Sequence, residues 1–333
     1  MTQHHYVERD VESAFIEYFS KIRIQIEYEL SKFLLTMSQK GLKSKLEYAA
    51  LIGGKRFRPF LVILSAESVG GKLDKVMPLA IAFELMHTST LVHDDIIDQD
   101  EMRRGQPSLY KKTSISEAIL AGDALIALSV SLSSSFGETI LKDVAQSALE
   151  LCDGESMDLL NSLRTTTEQV YFEKIRKKSA SLCKSAAYCG AIAGGGSPVE
   201  QMALSRFGES IGLAYQLRDD MLDFNSNKDL NFKDVTSGRI TLPLIYCYAQ
   251  STPEEKKKIE KLQTLISKET SNANEKANDL VQIVHQKGAF DYCERKVDEY
   301  LCQAITSLSA LKNTEYKAYL IEIARTLRSW EIA

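Results

Sequence analysis

The 333 residues carry 41 Lys and Arg against 45 Asp and Glu, a formal charge of −4, with 44% apolar residues, 17 Gly and 6 Pro. That is enough apolar chain for a large buried core, and without a Ser-, Gly- or Pro-rich linker or a low-complexity segment it predicts one domain over 1–333. No basic stripe with interleaved aromatics favours nucleic acid, the N-terminus MTQHHYVERD lacks a signal pattern, and no stretch reaches 18 apolar residues, so a cytoplasmic protein with no transmembrane segment is expected.

In chain order, Phe15, Phe19, Ile22, Ile26, Leu30 and Phe33 recur at steps of three and four, which predicts an amphipathic helix for packing or for an oligomer face. GGKRFRP, Gly53 to Pro59, follows. Its glycines free the backbone to turn, and Lys55, Arg56 and Arg58 crowd three cations into four residues. If the segment is helical, Lys55 and Arg58 share a face suited to a diphosphate; a solvated helix start is the plain alternative.

The stretch ELMHTSTLVHDDIIDQDEMRRG, Glu84 to Gly105, holds Asp94, Asp95 and Asp98 at i, i+1 and i+4 in apolar surroundings. At roughly 100° per residue, Asp98 lies about 40° from Asp94 and Asp95 about 100° from it, so all three can line one wall. His87, seven residues before Asp94, is about 20° off its line and faces the same way, whereas His93 is read as structural. Arg103 and Arg104, just past the carboxylates, can fork onto phosphate oxygens.

Further along, the six cysteines are scattered without a CxxC pair and read as reduced core residues. Ser197-Pro198-Val199-Glu200 and Thr252-Pro253-Glu254-Glu255 each predict a capping box with Pro at the first helical position. Between them, YQLRDDMLDF repeats the aspartate spacing with Asp219, Asp220 and Asp223. Alternating strand patterns are nearly absent, so the class is all-α, a single large helical bundle around a central cleft. Two such motifs on facing helices repel: two unit charges about 6 Å apart cost about 3 kcal/mol at an effective dielectric near 20. A hard cation offsets this, and Mg²⁺ binds through one or two carboxylates plus a substrate phosphate.

GGKxxRP, DDxxD, four residues, RRG, and then a second DDxxD, in this order from Gly53 to about Pro243, resemble the trans-polyprenyl diphosphate synthases. The resemblance implies an isoprenoid synthase fold and an enzyme of isoprenoid biosynthesis, a magnesium-dependent transferase that condenses isopentenyl diphosphate with an allylic diphosphate. It implies three Mg²⁺ chelated through Asp94, Asp98 and Asp219, supported by Asp95, Asp220 and Asp223. Isopentenyl diphosphate would lie on Lys55, Arg58, His87 and Arg104, and the allylic diphosphate on Arg103. Lys178 and Ser179 resemble the family's Lys-Thr pair and Gln216 its Gln; these three would shield or orient the allylic cation.

After the second motif the chain departs from the family pattern, with NSNKDLNFKDVTSGRITLP lacking the usual glycines. Asp234 matches the loop aspartate, and the loop lysine is Lys228 or Lys233. Where the family's short-chain members place bulky aromatics, at the fifth and fourth positions before the first motif, Ser89 and Thr90 stand here. The resemblance therefore implies a product of C20 or longer; by helix position Phe83 and Met86 are candidate floors, with ordinary core as the plainer reading. Family members are commonly homodimers, and a heterodimer is the alternative. The rival functions are a class I terpene cyclase, for which GGKRFRP and RRG have no use, and a non-catalytic or heterodimeric subunit of a prenyl synthase.

Overall fold

The N-terminal periodicity becomes a helix longer than its apolar stripe, α1 (Thr2–Leu35), which buries Phe15, Ile22, Ile26, Leu30 and Leu34. Leu34 takes the core position expected of Phe33, which stays half-buried. The computed structural model describes residues 2–38, 40–159, 162–222, 224, 235, 238–268 and 273–329.

Helices dominate, as the sequence predicts. After α1 come α2 (Lys40–Leu51), α3 (Phe57–Ser68) and α4 (Leu73–Ile97). A two-residue hairpin, β1 (Met102–Arg103) and β2 (Gln106–Pro107), leads into α5 (Leu109–Lys112), α6 (Ile115–Ser134) and α7 (Glu138–Leu159). Next are α8 (Glu168–Ile175), a π-helical turn over Arg176–Ala180, α9 (Ser181–Ala193) and α10 (Pro198–Leu222). The chain continues with α11 (Leu242–Ala249), α12 (Pro253–Lys268), α13 (Ala273–Gln286), α14 (Ala289–Ser307) and α15 (Glu315–Ser329).

Both predicted capping boxes form. Thr252 N donates to Glu255 Oε2 at 2.8 Å and Glu255 N to Thr252 Oγ1 at 3.3 Å; the Ser197–Glu200 pair repeats the exchange at 2.8 and 3.4 Å. Each satisfies two of the amides that a helix start leaves without intrahelical partners.

The chain divides into two compact units that alternate along the sequence. The first comprises Met1–Leu149, Leu182–Gly208 and Ile305–Ile323; its centre is α4, nearly all of whose side chains from Val76 to Ser89 are buried, packed on α3 and α6. The second comprises Glu150–Ser181, Glu209–Ala304 and Ala324–Ala333, with Tyr171, Leu217, Phe224, Val281 and Val297 in its core.

One expectation needs correction. Cys183, Cys189, Cys247 and Cys293 are buried, but Cys152 and Cys302 are exposed, because helical context alone does not say which face a side chain occupies. Among the described residues one helix, α6, is long and apolar enough to cross a membrane by length and composition. Much of that apolarity is not buried within the chain: Ile115, Ile119, Leu120 and Val130 are exposed.

Candidate active site

The first unit gathers the first aspartate motif and the basic residues. Asp94 and Asp95 occupy the last turn of α4, and Asp98 is its C-cap. Three carboxylates therefore meet the carbonyl end of a helix, where the dipole is also negative, and the demand for cations exceeds what the side chains alone create. Asp95 is buried and accepts hydrogen bonds from Arg103, through Nε at 2.8 Å and through Nη2. Those bonds draw it away from the pair formed by Asp94 and Asp98, both half-buried.

Arg103 and Arg104 are displayed by the hairpin, whose register pairs Met102 with Pro107 and Arg103 with Gln106. Its two turn residues, Arg104 and Gly105, both have positive φ, 52° and 75°, the backbone of a tight turn that matches strand twist. Sequence patterning missed this hairpin because two-residue strands carry no alternation; the Arg-Gly dipeptide was the available signal. Arg104 donates to the carbonyl of Gly53 and stacks its guanidinium over Gly54, where a Cβ would lie 2.6 Å from it. Gly54 also has φ 133°, so the glycine serves both the turn and the close approach.

Lys55 and Arg58 do not share a helical face, since α3 begins only at Phe57. Arg58 Nη1 instead lies 3.1 Å from His87 Nε2. Burial and the nearby Arg58, Arg104, Arg56 and Arg103 hold the imidazole well below its ordinary pKa. Neutral His87 accepts from Arg58 through Nε2, which leaves its proton on Nδ1.

Arg56 is the cation whose place differs most from the expected solvated helix start. It is 3% exposed, with positive φ, and its guanidinium donates to Glu27 at 2.7 and 3.0 Å, to Ala50 O at 2.7 Å and to buried Glu84. Glu84 stands one turn before His87 on α4, so this latch fixes the loop that carries Lys55, and with it the start of α3 that carries Arg58, to the helix that carries His87 and the aspartates. A Glu inside the apolar run before His87 was its only trace in the sequence.

Ser89, Phe83 and Met86 are core residues of the first unit, at most 2% exposed, and Thr90 is half-buried. Ser89 Oγ donates to Met86 O at 2.7 Å and Thr90 Oγ1 to His87 O at 2.8 Å. Both hydroxyls are satisfied by their own helix, so each presents a small, mostly apolar surface to its neighbours.

The second unit holds the other group. Ser179 Oγ lies 2.6 Å from Gln216 Oε1, Gln216 Nε2 donates to Asp220 Oδ1 at 2.7 Å, and Tyr171 OH donates to Asp220 Oδ2 at 2.5 Å. Asp220 is thus buried and accepts from both neighbours, while Asp219 beside it is exposed. Tyr171 carried no signal in the sequence beyond its aromatic character. Lys178 Nζ meets Glu155 at 2.6 Å and Asp158 at 2.9 Å. Asp158 is pulled both ways, burial raising its pKa and the Lys174 and Lys178 ammoniums lowering it; the ammoniums win and it stays ionised far below the usual range. Asp223, Lys228, Lys233 and Asp234 lie outside the described residues.

No three His, Cys, Asp or Glu side chains converge into a ready-made metal cluster among the described residues. The donor chemistry of the first unit nevertheless fits Mg²⁺: oxygen donors from Asp94 and Asp98 at a helix C-terminus.

A polyprenyl synthetase family model matches residues 39–284, about three quarters of the chain. The chain belongs to the polyprenyl synthetase family. It is 33% identical over 288 residues to a short chain isoprenyl diphosphate synthase of Methanothermobacter thermautotrophicus, covering 84% of this chain and 87% of that protein. The crystal structure of geranylgeranyl pyrophosphate synthetase from Pyrococcus horikoshii superposes with a TM-score of 0.86 at 27% identity, covering 95% of this chain and 99% of the other. A polyprenyl synthase from Caulobacter crescentus, complexed with calcium and isoprenyl diphosphate, gives 0.85 at 25% identity over 96% and 97%. The all-α isoprenoid synthase fold expected for this polyprenyl synthetase family member is the fold of these neighbours.

Proposed function

We propose that this protein condenses isopentenyl diphosphate with an allylic diphosphate and releases an all-trans polyprenyl diphosphate of C20 or longer. The observation that carries the reading is the basic set of the first unit, in which Arg58 and His87 bond each other and Arg104 is seated on Gly53 and Gly54, close to the aspartates of α4. A diphosphate site beside a metal-binding carboxylate pair serves an enzyme that takes two diphosphates; a terpene cyclase takes one.

In this reading Asp94, Asp98 and Asp219 hold Mg²⁺, three ions by the family's pattern, with Asp95, Asp220 and Asp223 in support. Bound Mg²⁺ supplies positive charge to the departing diphosphate. Arg103, set by Asp95, adds a guanidinium to the same anion. The allylic carbon–oxygen bond breaks with its electron pair going to diphosphate. The double bond of isopentenyl diphosphate, held by Lys55, Arg58, His87 and Arg104, then attacks the allylic cation. Loss of a proton to the released diphosphate restores a double bond.

Ser179 and Gln216 work at the cation. With the Ser179 hydrogen directed at the Gln216 carbonyl, the serine oxygen turns its lone pairs outward, the end of the dipole that steadies positive charge. Lys178, next in the chain to Ser179, is held by two carboxylates, Glu155 and Asp158. The loop lysine is Lys228 or Lys233.

We take residues 1–333 as one polyprenyl synthetase domain, because the unit boundaries fall inside helices such as α7 and α10 and not in linkers. The exposed apolar side chains of α6 favour a homodimer, working in the cytoplasm, with a second prenyl synthase chain as the alternative partner. With farnesyl diphosphate as starter, diphosphate release that depends on added isopentenyl diphosphate supports the synthase; release without it supports the cyclase.

A further inference from the structure

We propose that Gly154 and Asp158 on α7 are positioning residues, which seat the π-helical turn and so present Lys178 and Ser179 in the geometry the reaction uses; this rests on the roles proposed above for those two residues. Two features of the second unit meet here. Across Arg176–Ala180 the helical run from α8 to α9 widens into a π turn, and Gly154 lies directly against it. A Cβ at Gly154 would fall 2.8 Å from Lys178 Cα and 2.9 Å from Lys177 Cβ, and closer still to Lys178 N. The obstruction is backbone and not the mobile tip of a side chain, so it could not move aside without moving the turn.

The π turn has a geometric consequence. In an uninterrupted α-helix Tyr171 and Ser179, eight residues apart, would point roughly 80° apart. A π turn absorbs about one residue of rotation, which brings the two onto nearly the same line. Both then reach the same stretch of α10: Tyr171 bonds Asp220 at 2.5 Å, Ser179 bonds Gln216 at 2.6 Å, and Gln216 bonds Asp220 at 2.7 Å. The widened turn is what allows one continuous run of hydrogen bonds, Tyr171 to Asp220 to Gln216 to Ser179, to link the aspartate motif to the serine.

Asp158, one turn beyond Gly154, holds the same segment from its side chains. It receives Lys174 at 2.7 Å and Lys178 at 2.9 Å, one ammonium from before the turn and one from within it. Lys174 also donates to Ile240 O at 3.3 Å. A glycine in a helix interior is destabilising relative to alanine, so at an ordinary helical position Gly→Ala would stabilise. Here contact with Lys178 N reverses the expectation for function.

The test uses the full chain with Mg²⁺, farnesyl diphosphate, the C15 starter that any synthase of a C20 or longer product must extend, and labelled isopentenyl diphosphate. Gly154→Ala lowers kcat about a hundredfold, the scale of a misplacement near 1 Å, and leaves KM for isopentenyl diphosphate within about twofold. The triple variant Gly154→Ala, Lys178→Ala, Ser179→Ala is no slower than Lys178→Ala, Ser179→Ala, because the glycine acts through those two side chains. Asp158→Asn, which preserves volume, also lowers kcat and decides the matter if Gly154→Ala does not fold by circular dichroism. Wild-type kcat in the folded variants, or a Gly154→Ala loss that multiplies with that of Lys178→Ala, Ser179→Ala, overturns the proposal. A wild type that incorporates nothing overturns the synthase reading and this inference with it, whereas an active wild type with undiminished Lys178→Ala, Ser179→Ala overturns only the inference.

Discussion

His87 owes its neutral state to its surroundings, and that state has a measurable consequence. Burial and the arginines around it depress its pKa in the folded chain, while the unfolded chain takes up a proton near the ordinary value of about 6.5. As pH falls below that value the unfolded state binds the proton first, so stability declines. Urea unfolding between about pH 7 and pH 5 should show this slope in the wild type and a shallower one in His87→Gln; equal slopes would refute it. Gly54→Ala should displace the Arg104 guanidinium, raising KM for isopentenyl diphosphate by roughly tenfold or more, the worth of one charge-assisted hydrogen bond. Ser89→Phe should shorten the product, read by chromatography of the dephosphorylated chains. The spacing of the aspartates and of GGKRFRP was legible in the sequence. The fate of Arg56 was not, because its partners Glu27 and Glu84 stand 29 and 28 residues away, and only tertiary packing turns a surface cation into a buried one.

At the scale of elements, the structure replaces two sequence expectations by better-defined devices. The basic segment is helical only from Phe57: Arg56, with positive φ, is latched to α1, to the end of α2 and to α4. Arg56→Ala should cost about 3–5 kcal/mol, because it leaves Glu84 buried without its cation, and thermal or urea unfolding would register the loss. A change of less than about 1 kcal/mol would show that the latch is not structural. The RRG segment is a hairpin whose turn glycine and neighbouring Arg104 adopt left-handed backbone. The helices themselves were legible from their periodicity and caps. The π turn was not, since a one-residue change of pitch leaves the apolar pattern of α8 and α9 almost untouched.

For the whole chain, the family and its all-α fold follow from agreement between motif order, the match over residues 39–284 and the superposition on polyprenyl synthases. Self-association belongs to this scale too. The exposed Ile119 and Leu120 of α6 predict a dimer in sedimentation velocity that Leu120→Asp weakens, and a monomeric wild type would remove the homodimer. The most direct measurement incubates the purified protein with Mg²⁺, labelled isopentenyl diphosphate and, in turn, each allylic diphosphate from five to twenty carbons, and sizes the products. A discrete product of C20 or longer, lost in Asp94→Ala, is the result this account predicts. No incorporation with any starter, from protein shown to be folded, would contradict it.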